Sequence, residues 1–242
     1  MKAIDLFSCI GCHALGFNQA GIEMVALCEI NKFRRDVLTR RFHGVPIYDD
    51  VRTFNAKPAD IVIGGPPCQR TSVAAAVHGY RTGESLWPAM LQVGINAGAK
   101  WVVVEQPPGN AAWEAEVARD LCQNGWHVTR FEFGACDVGA PYIRRRVFMV
   151  ACTSVPRLAL ARAALPSAIA AVKRAANARG DWHPDKLAAL RVDARSAGEM
   201  ERSESRTRRE RIEALGDSNP PHMAEVIGSA ITQATNPLLA PC

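Results

Sequence analysis

Gly64-Gly65-Pro66-Pro67-Cys68-Gln69 closes the apolar run Ile61–Ile63. Two glycines followed by two prolines make a stiff, irregular loop, which would hold the Cys68 thiol at a strand end and not in a core. A thiol so placed is a candidate nucleophile, provided a base assists it or its pKa is lowered. Glu105 ends the run Trp101–Val104 and is itself followed by Pro107-Pro108, so it is a candidate acid or base at the tip of another strand. Arg144 and Arg146 precede the run Val147–Ala151, and their alternation would aim both at one face, toward an anionic substrate. Cys9-Ile10-Gly11-Cys12-His13 has the spacing of a c-type haem attachment site, or of half a zinc or redox site.

The surrounding elements decide between these readings. Runs rich in β-branched residues at Ala3–Phe7, Met24–Cys28, Ile61–Ile63, Trp101–Val104, Val128–Phe133 and Val147–Ala151 alternate with helix-like stretches. Asn31 is a plausible N-cap for a helix over Lys32–Phe42, and 85–97 and 111–123 show helical spacing. Alternation of this kind predicts an α/β, Rossmann-like, doubly wound and mostly parallel sheet, with ligands at the carboxyl ends of its strands. The first strand runs directly into the Cys9–Cys12 turn, and a helix is expected from near Ala14. That is the first βα turn, where backbone amides and a helix N-terminus meet a nucleotide-like cofactor. Glu29, about 20 residues on, suits a ribose hydroxyl. Cys9 and Cys12 therefore read as small side chains in a tight turn. No second ligand pair completes a zinc site, so neither metal nor haem is expected. His13 reads as a helix-start residue without a role, and His78 and His222 carry no signal.

Composition is that of an ordinary globular chain, 48% hydrophobic and 22% charged, with eight cysteines. No apolar run approaches the roughly 20 residues of a membrane span, and the residues before Cys9 lack a secretory stretch. A reducing, cytoplasmic location follows as an expectation. The net charge of +5 sits in residues 153–216, which hold 13 Lys or Arg against 8 Asp or Glu. Such an excess suits nucleic-acid phosphates, and the alternating charges of Glu199–Glu213 suit a solvated helix or a loop.

Together these stretches resemble the DNA (cytosine-5) methyltransferase family. Asp5-Leu6-Phe7-Ser8 with Gly11 is similar to that family's opening S-adenosylmethionine motif. Glu29 matches its ribose-binding acid, and Asp50-Val51 the pair that holds the adenine. Gly65-Pro66-Pro67-Cys68-Gln69 matches the catalytic loop, Glu105 the Glu-Asn-Val motif, and Arg144 and Arg146 the Gln-Arg-Arg motif. Residues 214–228, with Ser218 among them, resemble the closing motif, whose helix would pack beside the first strand and complete the cofactor pocket. The resemblance implies cofactor contacts at Asp5, Phe7, Gly11, Glu29, Asp50, Val51, Pro67, Leu86 and Ser218. It implies a catalytic domain of residues 1–152 and 212–242, and a short, mainly helical basic insertion, 153–211, in the place of a target-recognition region. DNA is the implied partner and S-adenosylmethionine the implied cofactor.

The implied chemistry is a covalent one. Cys68 would add as thiolate to carbon 6 of a flipped cytosine. Glu105 would hold ring nitrogen 3 and the exocyclic amine. Arg146 would polarise the base's carbonyl, and Arg144 would orient Glu105 or a phosphate. Carbon 5 could then take the methyl group. The sequence departs from the family pattern at Cys9, Cys12, Gln106, Pro107, Tyr142 and Asp217. Two other readings stay open: methylation of free pyrimidine nucleotide or single-stranded DNA, and a binder that has lost its catalysis.

Overall fold

The computed structural model describes residues 1–67, 85–182 and 217–236. Among these residues seven strands form one sheet: β1 (Lys2–Leu6), β2 (Glu23–Cys28), β3 (Ile47–Tyr48), β4 (Ile61–Gly64), β5 (Trp101–Gln106), β6 (His127–Gly134) and β7 (Arg145–Cys152). Their order is β3-β2-β1-β4-β5-β7-β6. The chain winds from β1 toward β3 and then from β4 toward β5, so the sheet reverses direction between β1 and β4. Strand ends on either side of that point splay apart and leave a crevice at their carboxyl tips.

The expected doubly wound sheet is present, with one antiparallel strand. β7 runs antiparallel to both β5 and β6. Residues 135–144 are too few for a helical crossover, so the chain must turn back on itself, and β7 slots between β5 and β6. β4 and β5 are neighbours, with Gly64 opposite Val104. They are interior strands, and their near-continuous Val and Ile runs reflect burial on both faces.

Among the described residues six α-helices cover the sheet: α1 (Cys12–Gln19), α2 (Lys32–Arg41), α3 (Trp87–Asn96), α4 (Ala111–Gln123), α5 (Val155–Arg179) and α6 (Pro221–Thr235). On one face Phe17, Leu38, Leu158 and Ile227 pack over Ile61, Ile63, Trp101 and Phe148. On the other, Trp87, Met90, Trp113 and Val117 pack over Ile4, Val62, Val102 and Val104. Asn31 caps α2 by accepting the Arg34 N–H at 3.2 Å, as its sequence position suggests.

α6 crosses α1 so closely that Gly16 has no room for a side chain. A Cβ there would lie 2.2 Å from the Pro221 carbonyl oxygen, and one on Gly228 would lie 2.8 Å from the Ala20 Cβ. The closing helix is thereby seated beside β1. α5 is 25 residues long, with Pro166 inside it, and is apolar and long enough to span a membrane, which the sequence reading did not anticipate. Here its Leu158, Ala161, Ala164, Ala168, Val172 and Ala176 form a buried stripe at helical spacing, of which Leu158, Ala161, Ala168 and Val172 join the core that contains α6. Arg162, Lys173 and Arg174 lie away from that stripe and are exposed, Arg179 is exposed at the helix end, Arg157 is half-buried, and the helix holds no Asp or Glu. Trp182, just beyond it, donates from Nε1 to the Val138 carbonyl and packs on the His222 ring, whose Nε2 lies 2.9 Å from Asp181 Oδ2.

Candidate active site

The loop after β1 is fastened to the end of β2. Ser8 N–H donates to the Cys28 carbonyl at 2.9 Å, Cys28 N–H donates to Ser8 Oγ at 3.2 Å, and Ser8 Oγ donates to the Asp5 carbonyl at 2.7 Å. Phe7, Cys9 and Gly11 have φ of 57°, 50° and 85°. Left-handed backbone at non-glycine residues is strained and persists only where neighbours impose it. Glu29 imposes it here: Oε2 accepts the Cys9 N–H at 2.8 Å and Oε1 accepts the Asn31 N–H at 2.8 Å. Burial raises the Glu29 pKa, while these two N–H groups and Arg34 pull it back.

Burial also pushes the Cys9 thiol up to about 12 and raises that of Cys12. Both are thiols at neutral pH. Among the described residues no group of three or more His, Cys, Asp or Glu is arranged to hold a metal ion.

Glu105 ends β5 beside the loop that follows β4. Its Oε1 lies 2.8 Å from Arg146 Nε, and both side chains are mostly buried. Its Oε2 faces Gly65 so closely that a Cβ on that residue would lie 3.0 Å away. Gly65 is needed for the carboxylate to sit where it does. Gln106 Nε2 donates to the Pro66 carbonyl at 2.6 Å, which ties the Gly65–Pro67 loop to the end of β5. Cys68 itself lies outside the described residues, three positions beyond Gly65.

The two arginines expected to act together part company. Arg146 lies in β7 and pairs with Glu105. Arg144 precedes the strand with φ of 30°, and its Nε donates to Asn219 Oδ1 at 3.1 Å. That left-handed backbone turns Arg144 off the strand's alternation, so Arg146, not Arg144, orients Glu105. Asn219 is buried and belongs to the closing segment, next to Ser218. Asp217 reaches Arg34 of α2 instead.

A cleft at the reversal point is lined by Phe7, Cys9, His13, Glu105, Ser218 and Asn219, among others. Asp5 is wholly buried on β1, and Glu29 borders the loop. Asp50 stands apart from that cleft. Its carboxylate accepts from Arg52 Nε, Nη2 and backbone N–H at 2.6–3.1 Å, which holds its pKa below the usual carboxylate range. This is a turn residue closing on its own loop. Val51 is packed in the core and Leu86 is half-buried against it, while Pro67 is exposed.

Three site residues escaped the sequence reading. His13, taken as a residue without a role, is buried between Asp5 and Glu105. Gln106, taken only as a departure from a motif, anchors the loop. Asn219 was invisible beside Ser218. Only the adjacency of Cys12 and His13 to a predicted cofactor turn could have drawn attention to the first of these.

A seven-stranded sheet of this order, with a cleft at the β1/β4 reversal and a carboxylate–arginine pair at the tip of β5, has the architecture of a methyltransferase. The sequence model of the C-5 cytosine-specific DNA methylase family matches residues 1–170, and the chain belongs to that family. It is 32% identical over 114 residues to the type II methyltransferase M2.BsuMI of Bacillus subtilis, a match covering 45% of this chain and 29% of that one. It is 26% identical over 162 residues to the type II methyltransferase M.HgiDI of Herpetosiphon aurantiacus, covering 62% and 52%. The chain thus spans about half or less of those relatives' own length. Among solved structures it resembles a DNMT2 mutant from Spodoptera frugiperda, with a TM-score of 0.52, 18% identity, and 64% and 50% of the two chains covered. It also resembles the methyltransferase EhMeth of Entamoeba histolytica, with a TM-score of 0.52, 15% identity, and 64% and 54% covered. Both likenesses concern the fold.

Proposed function

We propose that this chain transfers a methyl group from S-adenosylmethionine to carbon 5 of cytosine in DNA, through a transient bond between Cys68 and carbon 6. The observation that carries this reading is the pinned carboxylate of Glu105. It is held by Arg146 on one side and meets Gly65 on the other, at the mouth of the loop that continues into Cys68.

The residues around the cleft fit the cofactor's chemistry. Each Glu29 oxygen accepts one N–H and retains capacity for a ribose hydroxyl. The left-handed loop exposes backbone next to a helix N-terminus, and Phe7 and Ser218 supply an apolar face and a hydroxyl. Asp50 does not fit, because Arg52 occupies its carboxylate. When bound, S-adenosylmethionine supplies an electrophilic methyl group. The chain's own residues do the rest. Cys68 adds as thiolate, and Glu105 gives ring nitrogen 3 a proton as charge develops there. Arg146 fixes the carboxyl and meets the base's carbonyl. Arg144 braces the closing segment through Asn219. Loss of the carbon-5 proton and departure of Cys68 restore the aromatic ring. The exposed cations of α5, with the remainder of residues 153–211, suit backbone phosphates and not base edges.

The test is methyl transfer itself. Protein given labelled S-adenosylmethionine with duplex DNA, single-stranded DNA or deoxycytidine monophosphate should label duplex DNA first, with 5-methylcytosine as the product. Labelling of the mononucleotide alone would replace this reading with nucleotide methylation, and label on no substrate would leave a binding protein.

A further inference from the structure

His13 sits in the first turn of α1, almost wholly buried. Its Nδ1 lies 3.5 Å from Asp5 Oδ1 and its Nε2 lies 3.9 Å from Glu105 Oε2. Beyond that His13 contact, neither oxygen of Asp5 accepts a hydrogen bond among the described residues, and Asp5 is completely buried. A buried carboxylate without donors is costly unless a charge neutralises it. Four ionisable side chains meet here: Asp5 from β1, Glu105 from β5, Arg146 from β7 and His13 from α1. With His13 charged the four balance. With it neutral, one negative charge is left buried.

Burial and Arg146 oppose the charge on His13, as does its place at a helix N-terminus. The hydrogen bond and charge of Asp5, then the charge of Glu105, outweigh them, so the His13 pKa is raised. The imidazole is oriented as in a carboxylate–histidine pair, with one nitrogen held on Asp5 and the other turned to the group that works.

Resting on the methyltransferase reading above, we propose that His13 is a positioning residue that supplies Glu105 with its proton, from a site between the buried carboxylates of Asp5 and Glu105. As the Cys68 thiolate adds to carbon 6, the Glu105 carboxylate takes a proton from His13 Nε2 and hands it on to ring nitrogen 3, leaving His13 neutral. When Cys68 departs, the proton on nitrogen 3 returns to Glu105 and from there to His13, so the cycle consumes none. His13 acts through Glu105 and does not touch the base.

The test separates this from the overall reaction. Histidine ring resonances of the whole protein are followed by NMR against pH, with His13 assigned from His13→Gln. His13 should titrate above the ordinary value near 6.5, and both Asp5→Asn and Glu105→Gln should lower its midpoint. In steady-state assays the alkaline limb of the wild-type pH–rate profile should follow that midpoint. His13→Gln should lose that limb and keep its KM for S-adenosylmethionine, with kcat reduced about tenfold or more. A His13 that titrates at or below its ordinary value, or that ignores Asp5→Asn, overturns the proposal. So does a His13→Gln profile that keeps the alkaline limb. If the wild-type protein methylates no DNA, the functional reading fails, and the NMR titration still decides whether Asp5 and Glu105 hold the His13 proton.

Discussion

Gln106 Nε2 donates a hydrogen bond of 2.6 Å to the Pro66 carbonyl, which joins the tip of β5 to the loop that leads to Cys68. The family pattern has asparagine there, one methylene shorter. In this chain the longer amide reaches the loop from the residue next to Glu105, so the Glu105 carboxylate and the Pro66 carbonyl are held from adjacent positions on one strand. Gln106→Leu should leave the Pro66 oxygen without its donor, at a cost of about 1–3 kcal/mol in stability. It should also reduce kcat about 10- to 100-fold by loosening the loop. Urea unfolding and steady-state assays check both, and an unchanged kcat would mean that the loop is positioned from elsewhere.

Gly65→Ala puts a methyl group 3.0 Å from Glu105 Oε2. The carboxylate must move by a few tenths of an ångström or the loop must shift. We expect only about 1 kcal/mol of lost stability with a fall in kcat on the order of 100-fold. Comparable losses of both, or of neither, would show that the contact does not set the carboxylate's position.

Asp50 and Glu29 should part in a binding titration. Asp50 is half-buried and satisfied by Arg52, so Asp50→Ala should change stability by about 0.5 kcal/mol or less and affinity for S-adenosylmethionine by less than about threefold. Glu29→Ala removes the brace on Cys9 and Asn31, and should weaken cofactor binding about tenfold or more, as expected for lost charge-assisted hydrogen bonds. A larger effect at Asp50 would restore it to the cofactor site.

Stability should depend on pH through His13. Its pKa is raised on folding, so the folded chain holds the proton more tightly than the unfolded one. The resulting stabilisation is fully present below about 6.5 and is lost as pH rises through the raised value. The difference in unfolding free energy between wild type and His13→Gln should therefore shrink from pH 6 to pH 9. A difference that stays constant or grows over that range would contradict the account.

Much of this architecture was legible in the sequence, because periodicity and strand-end motifs report burial and chain direction. The alternation of Val-rich runs with helical stretches gave six of the strands and the doubly wound layout, and glycines and prolines marked where the β4 and β5 tips must turn. β3 is only two residues long and carries no periodic signal. The antiparallel β7 followed from the short 135–144 connection, and motif matching does not weigh connection length. The site was less legible, since side-chain partners depend on backbone angles and on contacts distant in sequence. Arg144 left the Arg146 face because of a single positive φ, and Asn219 met it across 75 positions. His13 looked idle because its carboxylate partners lie on strands β1 and β5, outside its own helix.

The central claim is that Cys68 bonds to carbon 6, so that the carbon-5 proton must leave before the product is released. Duplex DNA carrying 5-fluorocytosine tests it most directly, because fluorine cannot depart as a cation and the methylated ring should stay bonded to the protein. With S-adenosylmethionine, the wild-type chain should form a protein–DNA species that survives denaturation, Cys68→Ser should form none, and Glu105→Gln should form it much more slowly. Methyl transfer that persists in Cys68→Ser, with no trapped species from the wild-type chain, would contradict the account.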